Sequence, residues 1–335
     1  MTAPAIFGLS GPTLSESERV FFTDVAPFGF ILFARNCETP DQVQALCDDL
    51  RGLTGRRDTP VLIDQEGGRV ARLQGPHWRH PPPARPFGAL WDSDPENARR
   101  AALLNGQLIG AELAASGINV DCAPVLDVPV RGSHDIIGDR AFHTDPDAIA
   151  ALGRRFADGL ISAGVLPVVK HIPGHGRARA DSHAELPVVE ATAAELEQDF
   201  APFHALRDFP LAMTAHVLYS ALDPTHPATT SKRIIDDVIR GKIGFDGLLM
   251  SDDISSNMKA LDGNYATRAQ ASMAAGCDVV LHCDGDLPAM QEVAAALPPL
   301  SDQAAIRWAR ASFLVLEPQA VDIKAAQAEL AALLD

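Results

Sequence analysis

The segment VVKHIPGHGRARADSHAELP, residues 168–187, changes character abruptly. An apolar run over residues 165–169 reads as a buried strand and gives way at once to Lys170 and His171. Pro173 lacks an amide proton, and Gly174 and Gly176 supply turn dihedrals, so a helix or central strand cannot continue and a shaped loop follows. That loop holds His171, His175 and His183 together with Arg177, Arg179 and Asp181. A strand, a polar burst and a Gly/Pro loop in succession is how a rigid scaffold presents reactive groups to a pocket. The competing reading is an ordinary basic surface loop.

The same unit recurs on either side. Apolar runs at residues 5–9, 29–34, 60–63 and 118–128 precede it, and runs at 211–214, 247–250 and 278–281 follow. Helical patterns separate them. Residues 15–26 open with a Ser cap and Glu18 behind it, 39–53 carries Pro40 in its first turn, and 192–206 opens on Thr192 with Glu195. Further helices are expected over 94–116, 145–163, 231–240, 267–275, 287–296, 301–317 and 325–334. The Pro-rich stretch 74–91 is too irregular for an element of its own and is expected as a loop packed over one end of the fold.

Eight buried strands, each followed by a helix, is the count that closes a parallel barrel, whereas an open doubly wound sheet normally needs fewer. The expected fold is therefore α/β, a (β/α)8 TIM barrel forming a single domain over residues 1–335, with C-terminal helices from about residue 301 packed on it. In such a barrel all strand C-termini share one rim. The rim would gather Asp64, Arg140, Lys170, His171, Asp181, His183, His216, Asp252 and His282 around one opening. Each alone has a plainer explanation as a helix cap or core residue; their convergence does not.

Composition narrows the partners. The chain has 335 residues, 47% of them hydrophobic, and a formal net charge of −16. That charge argues against a nucleic-acid partner, which needs a basic surface to release counterions. No stretch is long and apolar enough to span a bilayer, so no membrane partner is expected. The N-terminus lacks a basic region followed by a sustained apolar run, which leads to the expectation of a cytoplasmic protein. Cys37, Cys47, Cys122, Cys277 and Cys283 are odd in number and lack CxxC spacing, which suits reduced, buried thiols.

Asp252 directly follows a buried strand, where a rigid carboxylate can act as nucleophile toward an electrophilic carbon; Asp253 fits a capping role better. Retaining hydrolysis of a glycosidic bond needs such a carboxylate and a second group that first gives and then takes a proton. In Asp181-Ser182-His183, a carboxylate near an imidazole on a Gly-flanked loop can orient the ring and raise its basicity. Asp64, Arg72, Arg140, Lys170 and His171 would hold the substrate, since sugar hydroxyls favour charged donors and acceptors. His175 is expected to buttress the loop. His216 and His282 are either supports behind the site or satisfied core histidines.

IDQEGGRVARL (Ile63 to Leu73), GDRAF (Gly138 to Phe142), KHIPGHG with DSH (Lys170 to His183) and SDD (Ser251 to Asp253) together resemble the single-domain bacterial β-N-acetylhexosaminidases of glycoside hydrolase family 3. The motifs span nearly the whole barrel in the family's order. The resemblance implies removal of terminal β-linked N-acetylglucosamine, chiefly from 1,6-anhydro-muropeptides during cytoplasmic peptidoglycan recycling, with no cofactor and no metal. It also implies Asp252 as nucleophile, His183 as proton donor, Asp181 as its dyad partner, and Asp64, Arg72, Arg140, Lys170 and His171 as sugar-binding positions. Ile172 departs from the family's usual Phe, and the segment DISSNMKAL from Asp253 lacks the usual Met after its first Ser. Both departures would reshape the pocket wall without touching the reacting groups.

Two rival readings stand beside this one. A metal-dependent TIM-barrel hydrolase would draw on His171, His175, His216, Lys170 and Asp252, but the first strand ends in Leu9-Ser10-Gly11 without His-x-His, and Pro173 keeps His171 and His175 off a shared helix face. A non-catalytic amino-sugar-binding protein would bind N-acetylglucosamine without turnover. Oligomeric state is not specified by any feature of the sequence.

Overall fold

Parallel strands covered on both faces require apolar side chains at nearly every position, and the apolar runs meet that requirement. The computed structural model describes residues 2–181, 185–255, 261–315 and 317–335. Its barrel strands are β1 (Ala3–Gly8), β2 (Pro27–Leu32), β3 (Val61–Ile63), β4 (Val120–Asp121), β5 (Leu166–Ile172), β6 (Leu211–Thr214), β7 (Leu248–Asp253) and β8 (Val279–His282). Each pairs in parallel with its sequence neighbours and β8 pairs with β1, closing the (β/α)8 barrel.

Alternation along the strands sorts the core into two layers. Ile6, Ile31, Leu62, Val168, Met213, Met250 and Leu281 fill the barrel interior. Phe7, Phe30, Ile63, Val169, Ala212, Leu249 and Val280 face the helices. Trp308 on the helix Asp302–Phe313 packs edge-on against Phe28, with ring centroids 5.3 Å apart, and its indole donates to Asp58 at 2.9 Å. The final helix, Ile323–Leu334, is tied to Pro95–Ala115 by the Arg100–Glu329 fork at 2.7 Å for both bonds. Among the described residues no helix is long and apolar enough to cross a membrane. All five cysteines are free.

Four local expectations need correction. The run 118–128 pairs as a ladder only over Val120–Asp121, because Pro124 cannot donate; Val125 then bridges Lys170. The segment 74–91 is not all loop: Arg85–Trp91 is helical, with Pro86 in the first turn and Phe87 buried 6.2 Å from the Phe142 ring. The helix expected over 231–240 is wound as a π-helix across Ile234–Lys242. Finally, β5 and β7 run past their apolar stretches to include Lys170, His171, Asp252 and Asp253.

The last correction has a physical cause. Polarity marks a strand's end only when the side chains must reach solvent, and here they point into a mouth where opposite charges await them. Both strands also carry a register shift, between Lys170 and Ile172 against β6 and between Met250 and Asp253 against β8. A bulge breaks the strict alternation of faces. Consequently Lys170 and His171 both line the mouth, as do Asp252 and Asp253.

Candidate active site

The strand C-termini surround a cavity of about 460 Å³, floored by the top of the barrel core at Ile31, Met213 and Leu281. Asp64, at the end of β3, and Glu66, on a two-stranded ribbon of Gln65–Gly67 with Val70–Ala71, project into it. Between them lies the Lys170 ammonium, 2.8 Å from Asp64 Oδ1 and 2.6 Å from Glu66 Oε1. Arg72 donates to Asp64 Oδ2 at 3.1 Å, and Arg140 grips Glu66 through two bonds of 2.8 Å. The ribbon that brings Glu66 here depends on Gly67, whose φ is 106° and where a Cβ would lie 2.2 Å from the Pro82 carbonyl oxygen.

Burial would disfavour all these charges, and their mutual contacts reverse it. Burial pushes Asp64 upward, but Lys170 and Arg72 outweigh it and hold the carboxyl well below the usual range. Glu66 is likewise pushed up by burial and pulled down to about 2 by Arg140 and Lys170. Lys170, only 2% exposed, is raised by Asp64 and Glu66 against its own burial. Beneath them Asp121, with Oδ2 unpartnered, is driven up by burial to about 8 and stays protonated at neutral pH.

Asp252 stands across the cavity at the end of β7. Its amide donates to Thr214 Oγ1 at 3.2 Å, and its Oδ1 accepts the Asp253 amide at 2.7 Å. Burial raises its pKa, but His216, His171, the Asp253 amide and Lys170 together bring it below the ordinary carboxylate value. Asp253 goes the other way, raised by burial and by Asp252, while it accepts Ser255 N and Oγ at 2.9 and 2.6 Å and Cys283 N at 3.0 Å. Two adjacent carboxyls are thus pushed apart, one kept ionised and one closing the strand end.

This ordering predicts a pH profile. Because Asp252 stays ionised below its ordinary value of 3.8, a reaction that uses its carboxylate should show a kcat/KM that is flat between about pH 4.5 and about pH 6. An acid limb with its midpoint above about pH 5 would contradict that assignment.

His171 lines the cavity with Nδ1 held 2.7 Å from Asp127. His175 lines it too, rather than only supporting the loop; burial and then His171 lower it to about 4, leaving a neutral ring. Asp64, Arg72, Arg140, Lys170, His171 and Asp252 therefore share one cavity. Three described rim residues, His216, His282 and Asp181, do not line it. His216 is buried behind Asp252, with Nε2 2.6 Å from the Asp253 carbonyl oxygen and Nδ1 2.7 Å from Thr229 Oγ1. His282 faces outward, its ring edge-on to Phe7 and Tyr265, because an uninterrupted strand alternates its faces and Leu281 takes the inward one. Asp181 lies on the histidine loop outside the cavity lining, and its carbonyl accepts the Glu185 amide at 3.0 Å. His183 falls outside the described residues.

The cavity also contains groups not singled out from sequence: Glu66, Arg35 and Phe33, with Asp127 behind its wall. Arg35 and Arg72 flank the Phe33 ring at 4.8 and 5.3 Å. Glu66 stands two residues after Asp64 in the sequence, but the ribbon that turns it into the cavity begins only at Gln65, so no strand period linked the two placements. Among the described residues no group of three or more His, Cys, Asp or Glu could hold a metal ion. The ligand set imagined for a metal hydrolase is otherwise engaged: Lys170 by two carboxylates, His171 Nδ1 by Asp127, and both His216 nitrogens by oxygen atoms.

Comparison with known proteins agrees with this architecture. The family profile described as glycosyl hydrolase family 3 N terminal domain matches residues 14–310. A protein named beta-hexosaminidase from Alkalilimnicola ehrlichii is 42% identical over 315 residues, 92% of this chain and 88% of that one. Another of that name from Bordetella avium is 40% identical over 286 residues, 84% of this chain and 80% of its own. The crystal structure of NagZ from Neisseria gonorrhoeae in complex with N-trifluoroacetyl-D-glucosamine superimposes with a TM-score of 0.87 at 33% identity, covering 100% of this chain and 98% of that one. With its barrel closed, its charged mouth formed and the profile matched over residues 14–310, the chain belongs to glycosyl hydrolase family 3 and is a glycoside hydrolase.

Proposed function

We propose that the protein is a retaining β-N-acetylhexosaminidase that removes terminal β-linked N-acetylglucosamine by double displacement. The observation that carries this reading is an ionised Asp252 set across a sugar-sized cavity from the Asp64–Lys170–Glu66–Arg140 cluster. The relatives' name, beta-hexosaminidase, and the N-acetylglucosamine derivative bound in the gonococcal NagZ structure support the choice of sugar.

In the proposed reaction Asp64, Arg72, Arg140, Lys170 and His171 hold the sugar hydroxyls and acetamido group. An Asp252 oxygen attacks C1 as the C1–O bond to the aglycone breaks, and His183, oriented by Asp181, gives its proton to the departing oxygen. His183 then takes a proton from water, whose oxygen attacks C1 and expels Asp252, restoring both groups. No step calls on a cofactor. Following the family resemblance, the substrate is a 1,6-anhydro-muropeptide and the setting cytoplasmic peptidoglycan recycling.

Release of N-acetylglucosamine from an anhydromuropeptide, compared with glucose from a β-glucoside, tests the proposal. Activity confined to the glucoside would overturn it. A 5-fluoro N-acetylglucosaminyl fluoride should leave a glycosyl adduct on Asp252 by mass spectrometry; its absence under slow turnover would favour attack by the substrate's own acetamido group. His183→Ala should cost roughly 10²–10⁴-fold in kcat/KM on a substrate with a poor leaving group and about tenfold or less on a dinitrophenyl glycoside. Equal losses on the two would contradict its role as proton donor.

A further inference from the structure

Asp127 lies behind the cavity wall on the stretch that follows β4, is 0% exposed, and does not line the cavity. Its Oδ2 meets His171 Nδ1 at 2.7 Å. Its Oδ1 accepts the amide of His175 at 2.6 Å and that of His171 at 3.3 Å. An ionised carboxylate can only accept, so the proton between Asp127 and His171 belongs to Nδ1, and the Nε2 edge of the ring is the one left for the cavity. His175 stands edge-on to the same ring, with centroids 5.6 Å apart and planes at 61°, which limits its rotation.

We propose that Asp127 is a positioning residue: it keeps the proton of His171 on Nδ1, so that the Nε2 lone pair faces the cavity and accepts a hydrogen bond from one sugar hydroxyl. The rest of the cavity makes such an acceptor useful. Arg72, Arg140 and Lys170 bring only donors, while Asp64 and Glu66 are already engaged by them. The same carboxylate fastens the ring to the backbone at His175, where the histidine loop begins, so one buried group fixes both a sugar contact and the base of that loop. The inference rests on the glycosidase reading only for the identity of the ligand.

Asp127→Asn separates orientation from bulk. The amide keeps an oxygen for the His175 N–H, but its NH2 now faces His171 Nδ1, which must become an acceptor; the ring proton moves to Nε2 and its polarity toward the cavity reverses. Long-range 1H–15N correlation spectra of the full 15N-labelled chain near neutral pH read this directly, with the His171 signals assigned by their loss in His171→Gln. The Nδ1–H pattern is expected in the parent protein and the Nε2–H pattern in Asp127→Asn. An Nε2–H or doubly protonated ring in the parent protein overturns the proposal, and that spectrum decides it even if the variant does not fold.

Kinetics supply a second reading. On an aryl β-N-acetylglucosaminide, Asp127→Asn should lower kcat/KM by roughly 10–100-fold. Across a set of singly deoxygenated analogues, one sugar, lacking the hydroxyl that meets Nε2, should show a loss of no more than about threefold from the same substitution. A uniform loss on every analogue would mean a merely structural role. If the parent protein proved inactive on the aryl glycoside, the glycosidase reading would fail while the spectrum still judged the tautomer.

Discussion

Asp252→Asn is expected to lower kcat/KM on an aryl β-N-acetylglucosaminide by about 10⁴-fold or more, with the far-UV spectrum and Tm little changed. The amide is isosteric, and its oxygen can still accept the Asp253 amide that now bonds Asp252 Oδ1 at 2.7 Å. It cannot attack C1. The Lys170 ammonium and the Asp253 amide, which help hold Asp252 ionised, would then face a neutral side chain, so transition-state charge at C1 goes unanswered as well. Azide offers a sharper form of the experiment with Asp252→Gly and an activated substrate. If Asp252 is the nucleophile, azide enters the vacated face and the product is the α-glycosyl azide. A β-azide would show that the acetamido group does the attacking, and a loss of less than about 100-fold in Asp252→Asn would remove Asp252 from the chemistry altogether.

Lys170→Met should be the most damaging single change to stability among the residues proposed to hold the sugar. It leaves Asp64 and Glu66 facing each other in a buried site with only Arg72 and Arg140 at their far sides. Removing one partner of a buried ion cluster costs on the order of 3–5 kcal/mol, which for a chain of this size corresponds to a Tm lowered by about 4–7 °C. The sign of its pH dependence follows from the directions already given. In the parent protein Glu66 sits at about 2 in the fold against an ordinary 4.5, and Asp64 also lies below its ordinary 3.8. Their contribution is therefore complete above about pH 5 and lost only as pH falls through the folded values. Lys170 is raised above its ordinary 10.5, so its own contribution is complete below that value and lost as pH rises past the folded one. In the variant the two carboxylates lose their shared cation and protonate more readily. The Tm deficit should be widest near neutral pH and narrow toward about pH 5. Calorimetry showing an unchanged Tm at neutral pH would mean that the cluster contributes nothing to the fold.

The two experiments separate what the mouth of the barrel does. Asp252 is expected to be alterable at a cost to chemistry alone, because its neighbours satisfy their own bonds: Asp253 on β7 has Ser255 and Cys283, and His216, after β6, has Thr229. Lys170 cannot be altered that cleanly, because the same ammonium that would meet a sugar also neutralises two acids. On the proposed reading, substrate binding and local stability are coupled at that one atom.

Taken alone, the sequence determined the barrel and the identity of most of the groups at its mouth. Period and composition suffice for this, since parallel strands must be apolar on both faces and the residue after each run must then emerge at a common rim. What only the tertiary structure decided is which rim residues look inward. The register shifts in β5 and β7 bring consecutive residues onto the cavity, so Lys170 and His171 both enter, whereas His282 on β8 alternates outward onto Phe7 and Tyr265. Glu66 and Asp127 could not be ranked from sequence, because their importance lies in partners 74 and 44 positions away, Arg140 and His171, that meet them only once the barrel has closed. Local pattern fixes which way a strand or helix turns its faces; pairing across the chain fixes which charges are neutralised, and on that depends which of them remain available for chemistry.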